Sequence, residues 1–553
     1  MLPMSEVKPR DEVKTAKHSG LQSTWVVSAA IMCSRVLGLA REMILFSLFQ
    51  TKWLSCFYLA FKIPNLLRDL FAEGALSQAF VTVFSKKLRD GGDKPAWLLA
   101  HKMLSLAAVF MGLVSLVGIF AAPWIIDLFI GDGSSPGGVV FDQEMRDLTV
   151  LMVRIMYPFI AVVSLAALVM GILNSRGIFG MPALASSFFN IGSLTTGLLV
   201  GWLIDPEFGR TALIGFSIGT VVGGLAQLGV QIPSLWKQGY RPKFDFKWKQ
   251  DEGVRKILSL LGPAVIAGSA VQVNVMVNAG FAARASEGAV ALLQGAFRLM
   301  QLPLGLFGVA VAMVTLPALS RAAGDENLAT GDFRSILARG MRFVTMLTLP
   351  CAVGLALLAE PVISLIFERG KFGAQDVVEM AAALRFYAFG LVFYAAIKVV
   401  QPAFYAIEKR MIPMVVSFIS IAINFAANYL FIVVWKLPFE YLALSTGVVA
   451  MLNFLQLYFL MIRYSDGLES GRLMLTMAKL GTAAMLMAGV CIAGQYWLMD
   501  GFGEFGLMRK AVTLLPTIAV AAGVYFGFCV LMRLDELSEL QALIARKFKR
   551  SAR

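Results

Sequence analysis

From Leu21 to Arg533 the chain is a nearly unbroken series of apolar runs, each closed by glycine, proline or a cluster of charges. A helix needs about 20 residues to cross roughly 30 Å of hydrocarbon, whereas barrel strands would alternate with a period of two over about ten residues. The pattern therefore predicts an all-α polytopic membrane protein with about 14 spans. They start near residues 23, 54, 97, 146, 181, 211, 257, 288, 340, 377, 412, 440, 473 and 510. One stretch contradicts its own pattern: AFKIPNLLRDLFAEGALSQAF, from Ala60 to Phe80, could span a bilayer yet carries Lys62, Arg68, Asp69 and Glu73. An Arg, Lys or Asp at the bilayer centre costs about 2.5 to 3.5 kcal/mol, so these side chains must face something other than lipid.

Composition agrees with the pattern: the chain is 58% hydrophobic and only 15% charged, far from a soluble globular domain. The polar start, residues 1–21, shows no cleavable signal peptide and reads as a cytoplasmic tail, with the first span directing insertion. Cys33, Cys56, Cys351, Cys491 and Cys529 all fall in apolar runs, which argues against an extracellular disulfide framework. With only two histidines, His18 and His101, neither a His-based metal site nor His catalysis is expected. If the N-terminus is cytoplasmic, the connections on that side carry about 30 Lys and Arg against about 8 on the other, so both termini are expected in the cytoplasm. The loop Gly131–Gln143 then lies outside. The same bias explains the net charge of +14 as topology, not nucleic-acid binding.

The chain also repeats itself. AFKIPNLLRDLF at Ala60 resembles AFRLMQLPLGLF at Ala296, AAPWIIDLF at Ala121 resembles AEPVISLIF at Ala359, and RIMYPF at Arg154 resembles RFYAF at Arg385. Three matches in the same order predict two homologous six-helix lobes as parallel repeats, a plan that transporters use around a central cavity. The expected organisation is a tail over 1–21, an N-lobe over 22–236, a basic cytoplasmic loop over 237–256 and a C-lobe over 257–465. Two extra C-terminal helices over 472–533 and a basic cytoplasmic tail over 534–553 follow.

In the first span SRVLGLARE sets Ser34, Arg35, Arg41 and Glu42 in apolar sequence; Arg35 and Glu42, seven apart, share a helical face. Lys62, Asp69 and Glu73 likewise share a face in the second span, with Arg68 off that line and Pro64 favouring a kink. Arg298 stands at the repeat position of Lys62. These charges could pair with one another to fix packing, or snorkel to the headgroups. Yet Arg35, Arg41, Lys62, Arg68 and Arg298 outnumber Glu42, Asp69 and Glu73, and a cation surplus calls for an anion. Arginine suits phosphate because its planar fork donates two hydrogen bonds at once.

SRVLGLARE, KIPNLLRDLFAEGALSQAFV, GILNSRGIFGMPALA, LPLGLFGVA and FERGKF resemble signature segments of the MurJ (MviN) family, the lipid II flippases of bacterial cell-wall synthesis. The similarity runs from about residue 22 to 415 and more weakly to the end. It implies a 14-helix fold of the multidrug/oligosaccharidyl-lipid/polysaccharide exporter superfamily and a substrate of undecaprenyl pyrophosphate bearing a disaccharide pentapeptide. The family's key arginines fall on Arg35, Arg41, Arg68 and Arg298. Glu42 stands where Asp is usual, and Ser55, in LSCFYLAF, matches a functional Asp of the family.

Fainter signals remain. Asn278, Asn424 and Asn428 form a candidate cation site, since some family members hold sodium in this lobe; without a carboxylate, interhelical hydrogen bonding is the favoured reading. Gly215, Gly219 and Gly223 predict a close-packing face. GFGEFG at Gly501 lacks the strand that a nucleotide fingerprint needs, and no P-loop occurs, so no nucleotide or other cofactor is expected.

Together these readings predict a lipid II flippase of the bacterial inner membrane that works by alternating access. The substrate set is Arg35, Arg41, Arg68, Arg298, Lys62, Glu42, Glu73 and Ser34. The two extra helices form a candidate groove for the lipid tail, and membrane potential or an ion gradient, sodium or proton, drives the cycle. Lipid II and membrane lipid are the expected partners, together with the cell-wall synthesis machinery. The alternatives are a related exporter of drugs or of another polyprenyl-linked oligosaccharide, and a membrane enzyme acting on polyprenyl phosphates, for which no cluster of acids or histidines is visible.

Overall fold

The structure, a computed structural model, describes residues 11–70, 76–131, 141–323, 331–465 and 467–537. Among them are helices and no strand, as continuous apolar runs dictate. Among the described residues, eleven helical stretches are long and apolar enough to cross a bilayer. The chain divides into two compact units.

The first unit comprises Met1–Leu45, Cys56–Asp127 and Gln143–Gln272. It takes most of α1 (Asp11–Leu48), α2 (Thr51–Leu67), α4 (Asp93–Ile130) and α10 (Glu252–Ala285), and all of α3 (Ser77–Gly91), α5 (Gln143–Met156), α6 (Phe159–Ser175), α7 (Gly180–Ile204), α8 (Ala212–Gly229) and α9 (Ile232–Lys237). Phe80 and Phe84 of α3 pack with Leu99 and Met103 of α4 and Leu168 and Ile172 of α6. The NSRG sequence at the end of α6 stops that helix: Gly177 takes φ 77° and Ile178 N–H returns to Leu173 O. This is the left-handed C-cap that glycine permits at least cost. The small residues of α8 do form a packing face, against α7. A Cβ on Gly223 would come within 2.7 Å of Phe189 O, and one on Gly219 within 2.9 Å of Gly197 N.

The second unit comprises Phe46–Ser55, Leu128–Asp142 and Val273–Arg553. Its helices are α11 (Ala289–Pro303), α12 (Val309–Ala322), α13 (Gly331–Leu357), α14 (Ala359–Phe367), α15 (Ala374–Ala406), α16 (Met411–Asn428), α17 (Tyr441–Ser465), α18 (Ser470–Leu498) and α19 (Leu507–Leu531). Phe333 and Leu337 of α13, Val399 and Phe404 of α15 and Leu457 and Met461 of α17 make one core. A second core sets α18 and α19 against α13 through Leu480, Cys491, Tyr525, Cys529 and Met346, and the Tyr525 hydroxyl donates to Met346 O at 3.0 Å. GFGEFG is a short 3-10 turn between α18 and α19 whose Phe502 is buried in that core.

Each unit breaks its second repeat helix at the same place. Residues 68–70 form a π-helical turn after α2, and Leu304–Gly308 form another after α11. Arg68 and Leu304 are equivalent positions in the AFKIPNLLRDLF and AFRLMQLPLGLF copies. A proline precedes each turn, Pro64 four residues and Pro303 one residue before it, at positions that are not equivalent in the two copies.

Candidate functional site

In the first unit the charges of α1 and α2 do not behave alike. Arg41 is 9% exposed and Glu42 only 1%. Arg41 Nη2 lies 3.4 Å from Glu42 Oε1, while Oε2 accepts the Tyr58 hydroxyl. The guanidinium stands over the rings of Phe189 (5.6 Å) and Phe61 (6.0 Å), a cation–π arrangement that offsets its desolvation. Arg41 Nε is buried with no hydrogen-bond partner among the described residues. Asn190 of α7 closes the group by donating to Ser34 O at 3.2 Å. Arg35 and Lys62 are half-buried and make no ion pair among the described residues. Glu42, although it shares a helical face with Arg35, is held by its neighbour Arg41 and by Tyr58.

Arg68 donates twice to Asp69 Oδ1, from Nε at 3.0 Å and Nη2 at 2.7 Å. Arg68 and Asp69 lie in the π turn over residues 68–70, directly after the α-helical stretch that carries Lys62. Glu73 lies outside the described residues. Arg298, on α11 of the second unit, is half-buried. Ser55 is fully buried and its Oγ accepts the Ala291 N–H at 3.1 Å, which satisfies an orphan donor in the first turn of α11. Here a neutral hydroxyl does structural work at the position where the family pattern has a carboxylate.

The three asparagines of the second unit meet. Asn424 and Asn428 each donate to Asn278 Oδ1 at 2.7 Å, Asn278 Nδ2 donates to Thr446 Oγ1 at 3.2 Å, and Asn428 Oδ1 accepts from Ser445. Two amide hydrogens therefore point at one carbonyl oxygen where a hard cation would need converging oxygens. Asn424 Oδ1 is the one cluster acceptor left without a partner among the described residues. No group of three or more His, Cys, Asp or Glu suited to a metal occurs among them either.

The second unit also holds an apolar cavity of about 400 Å³ between α11, its π turn, α13, α14, α18 and α19. Leu299 and Phe307 line one side, Cys351 and Gly354 another, and Met487 and Ala521 the C-terminal helices. At one end of these helices Lys510 donates to Glu368 of the FERGKF segment at 2.8 Å.

The sequence profile described as Lipid II flippase MurJ matches residues 46–512. The chain belongs to the lipid II flippase MurJ family. It is 31% identical over 532 residues to a probable lipid II flippase MurJ of Bdellovibrio bacteriovorus, covering 96% of this chain and 98% of that one. A probable lipid II flippase MurJ of Vibrio cholerae is 32% identical over 544 residues, covering 95% and 99%. Among solved structures, a lipid II flippase MurJ in an inward closed conformation superposes with a TM-score of 0.74 at 24% identity, covering 92% of this chain and 98% of that one. An inward-facing multidrug-resistance MATE transporter of the MOP superfamily gives 0.65 at 16% identity, covering 80% and 98%. The fold is therefore one shared with a MurJ flippase and a MATE transporter, without fixing the number of crossings, and the chain is a multi-pass membrane protein of this family.

Sequence reasoning missed Tyr58, Phe61, Phe189 and Asn190. Tyr58 had a weak signal, since a tyrosine one turn before Lys62 in an apolar run needs a partner for its hydroxyl. Phe189 and Asn190 are brought to Ser34 and Arg41 only by the tertiary fold.

Proposed function

We propose that this MurJ-family chain moves lipid II, the undecaprenyl-pyrophosphate-linked precursor of peptidoglycan, from the cytoplasmic to the outer leaflet of the bacterial inner membrane by alternating access. On this reading α1, α2 with α3, and α10 join the eleven apolar stretches to give about fourteen crossings, with both termini cytoplasmic. The observation that carries the substrate assignment is the charge balance on α1 and α2 of a family member: Arg35 and Lys62 have no carboxylate partner among the described residues. A desolvated cation without an acid favours an anionic ligand, and a pyrophosphate supplies one. Arg35, Arg41, Arg68, Lys62 and Ser34 are proposed as headgroup contacts, with Glu42 and Glu73 tuning their charge and Arg298 contributing from the second unit.

The apolar cavity bounded by α18 and α19 supports a tail-binding role for these helices, because it offers hydrocarbon contacts without a polar partner. No covalent step is proposed, and the chain acts as a transporter, not an enzyme. Its drive comes from membrane potential or an ion gradient, where one charge moved through 100 mV is worth about 2.3 kcal/mol. Sodium is the weaker candidate, because the asparagine cluster is neutral and satisfies most of its own bonds. Depletion of the protein in its source cell tests the reading: lipid II should accumulate on the cytoplasmic side before lysis. Normal delivery of lipid II to the outer face in depleted cells would overturn it.

A further inference from the structure

The α9–α10 connection carries an exposed aromatic and basic segment that the transport reading does not use. In RPKFDFKWK, Phe244 is 81% and Phe246 61% exposed, and their rings stack with centroids 6.3 Å apart. Lys243, Lys247 and Lys249 flank them, all exposed. Two phenylalanines two residues apart on an extended chain share one face, so both leave the protein on the same side.

This segment is nevertheless held in place. Tyr240 is buried against Trp97 and His101, with centroids 5.4 and 4.9 Å away, and the His101 ring nitrogen lies 2.7 Å from Arg241 O. Asp245 N–H donates to Ser105 Oγ at 3.0 Å. Asp251 receives Lys102 at 2.9 Å and Lys87 at 3.0 Å, and caps the start of α10 through Gly253 N–H at 2.8 Å. A loop with only solvent to meet would gain nothing from presenting two stacked phenylalanines on so firm a base.

Its level along α4 says what it meets. Lys102 and Ser105 lie on one face of α4 and are buried beneath the 245–251 segment. The next positions on that face, Val109 and Leu113, are bare, and so are Phe120 and Leu128 further on. From Val109 to Leu128 the helix rises about 28 Å, the thickness of the hydrocarbon core. Ser105 is then about 6 Å outside that core, at headgroup depth, and Phe244 and Phe246 are tethered there. Aromatic rings prefer this zone, and lysines beside them find lipid phosphates.

We propose that residues 241–249 form a bilayer-surface anchor, in which Phe244 and Phe246 enter the headgroup–acyl boundary and Lys243, Lys247 and Lys249 bind the phosphates of anionic phospholipid. Through Ser105 and Asp251 the anchor fixes the depth at which the α4 and α10 ends sit in the membrane.

The test uses the full chain with its five cysteines replaced by serine, Phe244→Cys, and an environment-sensitive label on that cysteine. It is reconstituted in vesicles of phosphatidylcholine alone or in equal parts with phosphatidylglycerol. In the mixed vesicles the label should be quenched by lipids spin-labelled near the headgroup and shielded from aqueous iodide. Combining Lys243→Glu, Lys247→Glu and Lys249→Glu should weaken the preference for phosphatidylglycerol, on the order of fivefold per lysine. Iodide quenching as free in vesicles as in detergent would overturn the insertion, and an unchanged lipid preference in the triple variant would overturn the charge assignment. Should the cysteine-free chain fail to fold, thermal unfolding of the native sequence in nanodiscs decides: phosphatidylglycerol should stabilise it more than the triple variant, and equal stabilisation refutes the proposal.

Discussion

Arg41→Ala measures how much the best-defined charge in the first unit contributes to packing, beside its proposed contact to the headgroup. Arg41 and Glu42 are both buried; Glu42 takes Arg41 at 3.4 Å and accepts the Tyr58 hydroxyl. Deleting the guanidinium takes the cation from beside a buried carboxylate, and breaking a buried pair costs about 3–5 kcal/mol. Loss of the contacts to Phe61 and Phe189 adds about 0.5–1 kcal/mol each. Against a total stability of about 5–15 kcal/mol this is a large fraction, so folded yield and Tm in detergent should fall sharply. Removing both charges, as Arg41→Met with Glu42→Gln, should recover most of the loss because the buried acid goes together with its cation. Arg35→Ala, which breaks no ion pair among the described residues, should leave Tm nearly unchanged. An Arg41→Ala protein as stable as the parent, or a double variant no better than the single one, would refute this account of Arg41.

Other consequences are as direct. Burial alone would raise the Asp251 carboxyl, but hydrogen bonds from Lys102 and Lys87 overcome it and hold its pKa down at about 2. Because this lies below the unfolded value of about 3.9, the stabilisation is complete above about pH 4 and lost as pH falls towards 2; Asp251→Asn should flatten unfolding curves in that window and lower stability at neutral pH. Gly219→Leu drives a side chain into the α7 backbone and should reduce folded yield by an overpacking cost of at least about 1–3 kcal/mol, read by size-exclusion chromatography. Replacing sodium with choline should leave lipid II transport in vesicles unchanged; a sodium requirement would mean that the asparagine amides reorient around an ion.

Much of the molecule was legible in its sequence because the bilayer permits few solutions: continuous apolar runs can only be helices, and three matched segments in order announce a duplication. The chemistry of the charges was less legible. Periodicity assumes 3.6 residues per turn, and the π turn at residues 68–70 breaks that assumption where Arg68 and Asp69 pair. Ser55 gave no sign that it caps a helix beginning more than 200 residues later, because its partner is a backbone N–H. Contiguous lobes also conceal that residues 46–55 pack with the second unit, where Phe46 meets Phe367 and Phe372 and Lys371 N–H bonds Ser47 O. Composition identified the basic 237–256 loop but not its shape, since exposure of Phe244 and Phe246 depends on Tyr240 and Asp251 being tied down.

The most direct test of the central claim is lipid II transport by purified protein in sealed vesicles, measured as the fraction of lipid II that a membrane-impermeant enzyme can reach over time. The native chain should expose inner-leaflet lipid II, faster under an imposed membrane potential, and Arg35→Ala should be equally folded yet inactive. Full transport by a folded Arg35→Ala protein, or no transport by the native chain at any potential, would contradict the account.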